Sequence, residues 1–238
     1  MKSTLILLLT TLSLFSFAQG FVAELEDDGY AALGNSQCIV KLANGEEITG
    51  KIGTMSGSNG YISAITIKLE NGEKRKLKPE DISQLQVKTS KLMKLAMITE
   101  SSSSIKEMTR TNFDDIVKRD FVIFETAMRH NKAGNLRLMQ LLNPGFDSKI
   151  KVYADPNPNR KTDGIGIAGV KLTGDVEKSY LFVQNNEKAV LVKKGSYKKD
   201  FDELYKNCPK MIEAFAGEKL KFQDIAGHVF AYDQICQD

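Results

Sequence analysis

Between Gln37 and Lys88, apolar and polar side chains alternate at a period of two, interrupted at short intervals by residues that favour turns. Cys38, Val40 and Leu42 fall on one face of a first strand, Gln37–Leu42. Asn44-Gly45 then predicts a tight hairpin, because both residues tolerate positive φ. Ile48, Gly50 and Ile52 share one face of the return strand, and Ser56–Gly60 reads as a flexible Gly/Ser loop. Ile65, Ile67 and Leu69 mark the next strand, and Asn71-Gly72 a second hairpin. Lys78-Pro79-Glu80-Asp81-Ile82 predicts a short helical turn with proline at its first position. Leu85 and Val87 close the run, which predicts a compact all-β module.

Thr99–Asn112 holds Ser101–Ser104 and few large apolar residues, which predicts a linker. Beyond it, strands are predicted at Asp120–Met128, Leu136–Leu142, Lys149–Ala154, Ile165–Leu172, Ser179–Gln184 and Lys188–Lys193. Asn143-Pro144-Gly145 and Gln184–Glu187 punctuate them as turns. Phe121-Val122-Ile123-Phe124 is apolar on both faces, so this sheet needs cover on both sides. The end of the chain is expected to supply it. Ser196 can cap a helix whose apolar residues fall at Tyr197, Phe201, Leu204 and Tyr205, a helical period. Cys208-Pro209 interrupts it, and Met211, Ile212 and Phe215 continue it as far as Gly217. A last helix carries Phe222, Ile225, Ala226, Val229, Phe230 and Ile235.

Strands first and helices last predict an α+β fold, mostly antiparallel. A small β-barrel-like module (19–98) is followed by a linker (99–112), then an antiparallel sheet with two or three C-terminal helices (113–238). Five short strands, two Asn-Gly hairpins and a helical turn before the last strand resemble a small SH3-like or Sm-like barrel. The competing arrangement is an open meander. The resemblance implies a fold and no activity, since such barrels host many unrelated functions.

The first residues change the picture of where the protein works. Lys2 opens a short positive start, Leu5 to Phe17 is apolar apart from Thr and Ser, and Ser16-Phe17-Ala18 offers small residues before a cut. That pattern predicts a signal peptide over 1–18, with Gln19 as the new N-terminus. A retained anchor is the alternative, although spanning a bilayer takes about 20 apolar residues. No later run is long enough to cross a membrane. With 42% hydrophobic and 26% charged residues the chain is ordinary for a globular fold, and its net charge of +3 falls further without Lys2. A strongly basic excess is absent, so nucleic acid is not an expected partner.

Export implies an oxidising compartment, where a disulfide can persist. Of the three cysteines, Cys208 and Cys236 both lie in the C-terminal helical region, and pairing them would fix an end that otherwise frays. Cys38 is expected to face inward from its strand, with a reactive or intermolecular Cys38 as the alternative.

Several motifs are spelled correctly in the wrong setting. Gly164-Ile165-Gly166-Ile167-Ala168-Gly169 matches the dinucleotide fingerprint, but a loop precedes it and a strand-like stretch follows it. Asp155, Asn157 and Asn159 begin a calcium-loop spacing, yet Arg160 and Gly166 occupy the positions that need glycine and glutamate. His130 and His228 have no Cys or carboxylate at metal-ligand spacing. Ser103 and Lys106 share Ser-x-x-Lys spacing inside the predicted linker, where a nucleophile would not be held rigidly. Lys74–Lys78 and the lysines at 193, 194, 198 and 199 read as solvated faces, with anionic glycans or lipid headgroups as alternative partners. No catalytic residue, cofactor or metal ligand is therefore assigned.

Leu141-Leu142-Asn143-Pro144-Gly145-Phe146, Ala189–Lys194, Tyr197–Phe201, Asn207-Cys208-Pro209 and Phe230–Cys236 resemble a group of uncharacterised secreted proteins of Bacteroidota. The leader ending Ser-Phe-Ala-Gln is similar to leaders of that phylum. The resemblance implies an envelope or secreted location and supports the C-terminal cysteine pair. It carries no known activity. The expected function is a non-enzymatic envelope or secreted protein that binds an envelope or extracellular partner. The alternative is a hydrolase whose site is assembled from scattered residues.

Overall fold

The alternation in residues 37–88 becomes five strands: β1 (Gln37–Leu42), β2 (Glu47–Ser58), β3 (Tyr61–Lys68), β4 (Lys74–Leu77) and β5 (Ile82–Lys88). Further along lie α1 (Lys91–Ser101), α2 (Phe113–Lys118), β6 (Phe121–Met128), β7 (Leu136–Gln140) and β8 (Ile150–Ala154). They are followed by β9 (Ser179–Gln184), β10 (Val190–Lys193), α3 (Tyr197–Leu204), α4 (Pro209–Ala214) and α5 (Ile225–Ile235). This computed structural model describes residues 20–25, 30–58, 61–102, 111–130, 135–156 and 178–236, with the backbone of 159–160, 166–167, 170–171 and 176–177. The predicted signal peptide, 1–18, lies outside the described residues.

Six strands close into an antiparallel barrel in the order β2-β1-β5-β6-β7-β3, with β2 pairing back onto β3, and β4 lies beside β3. The Asn-Gly turns form as predicted, with Gly45 at φ 87° and Gly72 at φ 85°. Pro79 opens a single 3-10 turn over Pro79–Asp81. β2 bends enough to serve two partners: Lys51 pairs with Gln37 on one side and Lys68 on the other. The bend requires glycine at position 50, where a Cβ would come within 2.6 Å of the Lys68 carbonyl oxygen. The expected loop at Ser56–Gly60 is replaced by strand as far as Ser58, paired with Tyr61.

The barrel interior is aliphatic: Val40, Ile52, Ile65, Ile67, Leu85 and Val87 are buried, joined by Val122, Phe124 and Leu138 from β6 and β7. Each such side chain contributes roughly 1.5–3 kcal/mol through burial. β6 and β7 lie beyond the predicted linker, and β5 pairs with β6 from Gln84↔Glu125 to Lys88↔Phe121. Two unpredicted helices sit beside this junction. Ser90 caps α1 by accepting the Met93 N–H at 3.1 Å, and Met93 and Met97, one turn apart, join the barrel core. Asn112 caps α2 by accepting the Asp115 N–H at 3.1 Å. The middle of the predicted linker, 103–110, lies outside the described residues.

The outer face of β6 has its own cover. Ile123 and Ala127 pack with Tyr153, Leu181, Val183 and Leu191 from a second antiparallel sheet, β10-β9-β8. The opposite face of that sheet presents Val152, Tyr180, Phe182 and Val192 to α3, α4 and α5. The molecule is thus α+β and mostly strand, in three layers: barrel, sheet and helices. The helices cover only the far face of the sheet, because the barrel itself covers the near one. Cys208, preceding α4, and Cys236, following α5, form a disulfide with Cα atoms 5.8 Å apart. Ser196 precedes α3 but makes no side-chain capping bond.

Buried polar groups fasten the layers. Gln140 accepts the Leu25 N–H and donates to the Ala23 carbonyl, both at 2.8 Å, which holds the segment 20–25 against β7. Asn143 donates to the Phe146 and Ile150 carbonyls and accepts the Val152 N–H, fixing the turn before β8.

Candidate functional site

A cleft of 540 Å³ opens in the barrel surface, with Lys51, Lys68, Glu70, Lys88 and Phe121 on its walls and Cys38 behind them. Lys51 and Lys68 are there because the bent β2 brings them directly opposite each other in the ladder. Like charges directly opposite on neighbouring strands repel. Among the described residues, no carboxylate hydrogen-bonds or ion-pairs with Lys51, Lys68 or Lys88. The Cys38 thiol points at the Gly50 carbonyl oxygen, 3.6 Å away, and burial pushes its pKa up to about 11. It is a protonated, inward thiol, as its strand position predicted.

A second polar cluster gathers where the β6–β7 hairpin meets the second sheet. The Arg129 guanidinium lies over the Tyr61 ring, 4.2 Å from its centroid. The Ala189 N–H donates to the Met128 carbonyl, and the charge of the neighbouring Lys188 acts on His130. Ser179, paired with Lys193 across the ladder, donates its hydroxyl to Asp155 at 2.5 Å, and both Ser179 and Asp155 are buried. Burial holds the His130 imidazole below its ordinary pKa; Asp155 opposes this, while Arg129, Lys188 and Lys193 reinforce it. Burial and the Asp155 charge raise the Tyr61 hydroxyl, against the pull of Arg129.

Two further polar centres are committed to structure. Glu125, buried on the outer face of β6, accepts from Lys151 at 2.6 Å, Tyr153 at 3.0 Å and Gln84 at 3.1 Å. It ties barrel to sheet, and burial, reinforced by its charge, raises the Tyr153 pKa. In the helical layer, Tyr197 contacts His228 Nδ1 at 2.7 Å and the Tyr205 hydroxyl at 3.3 Å. Phe215 and Phe201 pack edge-on to the imidazole. Burial drives the His228 pKa down to about 4, so it is neutral near pH 7.

The remaining sequence motifs resolve as follows. Gly166-Ile167 pairs antiparallel with Val170-Lys171, while Gly164, Ile165, Ala168 and Gly169 lie outside the described residues. Asn159 pairs with Glu177 through the backbone, and Asn157, Ser103 and Lys106 lie outside the described residues. Arg75, in the first basic run, is bound to Glu46 at 2.9 Å. Among the described residues, no three His, Cys, Asp or Glu side chains converge as metal ligands, and no helix is long and apolar enough to cross a membrane. Sequence reasoning singled out His130 and His228 but missed Arg129, Arg137 and the Lys51–Lys68 pair. Only strand register brings those together, and no local motif encodes it. Comparison with family models, curated proteins and solved structures finds no match to this chain.

Proposed function

We propose that this protein is an exported, non-enzymatic binding module of the cell envelope or extracellular space, and that its barrel cleft takes an anionic partner. The observation that carries the reading is the Lys51–Lys68 pair: two like charges opposed across a ladder, with Lys88 on the same cleft. An anion between them relieves the repulsion and gains charge-assisted hydrogen bonds. The Cys208–Cys236 disulfide and the apolar leader support work outside the cytoplasm.

The polar groups that could serve a hydrolase point elsewhere. The Ser179 hydroxyl is spent on Asp155, and His130 Nδ1 bonds to neither of them. A nucleophile must instead hand its proton to a base held by a third group. His228 is buried among rings. This favours the binding reading.

Two measurements test it. The chain from Gln19 should bind immobilised heparin, a polysulfated probe, or vesicles of anionic lipid, with affinity falling as salt rises. The double variant Lys51→Gln/Lys68→Gln should weaken binding severalfold with the fold intact. Binding unchanged in that variant would remove the cleft from the account, and uncleaved protein in the cytosol would remove export.

A further inference from the structure

Among the described residues, three buried side-chain nitrogens have no hydrogen-bond partner: Arg129 Nε, His130 Nδ1 and Arg137 Nε. All three belong to the β6–β7 hairpin. A buried polar nitrogen without a partner is costly, so native structures rarely keep one without a reason. Here they fall within one hairpin.

The register explains why the two arginines converge, and His130 follows Arg129 directly in the chain. Ala127 is paired with Arg137, and the Arg129 N–H donates to the Asn135 carbonyl at 3.1 Å. Arg129 and Arg137 are therefore diagonal neighbours on one face of the hairpin, at a spacing of roughly 7–8 Å between their Cα atoms. Two guanidiniums at that spacing can reach oxygens of one small anion. Tyr61 fixes the first through its ring, and the second is anchored by Nη1 on the Leu136 carbonyl at 2.7 Å. Three cations, Arg129, Lys188 and Lys193, surround His130 together with one carboxylate, Asp155, whose charge acts on the imidazole more strongly than any single one of them and which accepts the Ser179 hydroxyl.

We propose that this corner of the β6–β7 hairpin is an oxyanion site for a phosphate group, read by Arg129, Arg137 and His130. Phosphate suits the set because its tetrahedral oxygens accept several donors at once, and arginine presents planar, always-charged donors to them. The site is separate from the Lys51–Lys68 cleft and stands whether or not the cleft binds anything. A free phosphate and a phosphomonoester lipid headgroup offer the same chemistry.

The test follows the His130 imidazole by NMR in the intact chain from Gln19. Adding inorganic phosphate should shift its resonances and raise its pKa, because a bound anion stabilises the imidazolium. Arg137→Gln should weaken phosphate at least tenfold, by about the loss of one charge-assisted contact. Arg129→Gln should do so too, but it also uncovers Tyr61. Arg137→Lys, which keeps the charge and loses the fork, should fall between wild type and Arg137→Gln whatever Arg129→Gln does to folding. Lys51→Gln/Lys68→Gln should leave the phosphate response unchanged while heparin binding drops, which separates this site from the cleft. Vesicles containing phosphatidic acid form a second arm. A His130 response to vesicles alone assigns the phosphate to a lipid, and a response to both shows that free phosphate suffices. No His130 response in either arm, or equal affinity in Arg137→Gln, overturns the proposal.

Discussion

The barrel and the helical layer solve one problem, holding short elements together, by different means. In the barrel every strand has neighbours on both sides or a closure behind it, and the interior is almost wholly Val, Ile and Leu around Phe124. Closure removes exposed strand edges, and no covalent bond is used; the one cysteine inside remains a thiol. The helical layer has no such ladder. α3, α4 and α5 span 8, 6 and 11 residues, lengths at which isolated helices are marginal in water. It relies on aromatic packing around Tyr197, Phe201 and His228, and on a disulfide joining the start of α4 to the end of α5. Where backbone hydrogen bonds cannot close on themselves, the chain uses rings and a crosslink.

The contrast can be broken from either side. The largest effect is expected in the barrel: Phe124→Ala should cost about 3–5 kcal/mol by leaving a cavity in a closed interior, measured by denaturant unfolding. Next, Cys208→Ser/Cys236→Ser should cost roughly 3–4 kcal/mol, given a sequence separation of 28 between the bonded residues. That loss should be local. Amides of α4 and α5 should exchange faster while those of β1 and β5 keep their protection, and uniform loss would contradict the division.

A pH scan gives a somewhat smaller effect. Well above pH 6.5, His228 is neutral in both the folded and unfolded chain. As pH falls from 6.5 towards 4 the unfolded chain takes up the proton first, so stability drops. The drop should reach about 3 kcal/mol near pH 4, because burial holds the folded imidazole at about 4 while the unfolded one titrates near 6.5. It should be smaller in His228→Phe, measured over the same range. Smallest is the strap between layers. Glu125→Gln keeps the shape but removes the charge that Lys151 and Tyr153 share, and should cost about 1–2 kcal/mol.

The strands and turns were legible because each is written locally. Alternation at Gln37–Leu42, the two Asn-Gly pairs, Pro79 opening a turn and the helical spacing of Tyr197, Phe201 and Leu204 all need only near neighbours. The Cys208–Cys236 pairing was readable from helix-region placement. α1 is harder to read: Ser90, Met93 and Met97 carry a cap and an i,i+4 pair, but Leu92 and Leu95, exposed at 64% and 57%, blur the apolar stripe. The partnership of β5 with β6 is of another kind. Nothing near Leu85 or Phe124 names the other, and the pairing pays its loop-closure cost across more than thirty residues. The arginine corner is hidden for the same reason: Arg129 and Arg137 become neighbours only through register.

β6 and β7 finish the barrel, which makes residues on both sides of 103–110 one folding unit. Native-state hydrogen exchange tests this directly through the amides of β1 and β5 and those of β6 and β7. The expected result is one shared opening free energy, unmoved by loss of the disulfide. If β6 and β7 instead open together with β8 and β9 while 37–88 stays protected, the strands belong to the second sheet and the six-stranded barrel does not stand as a unit.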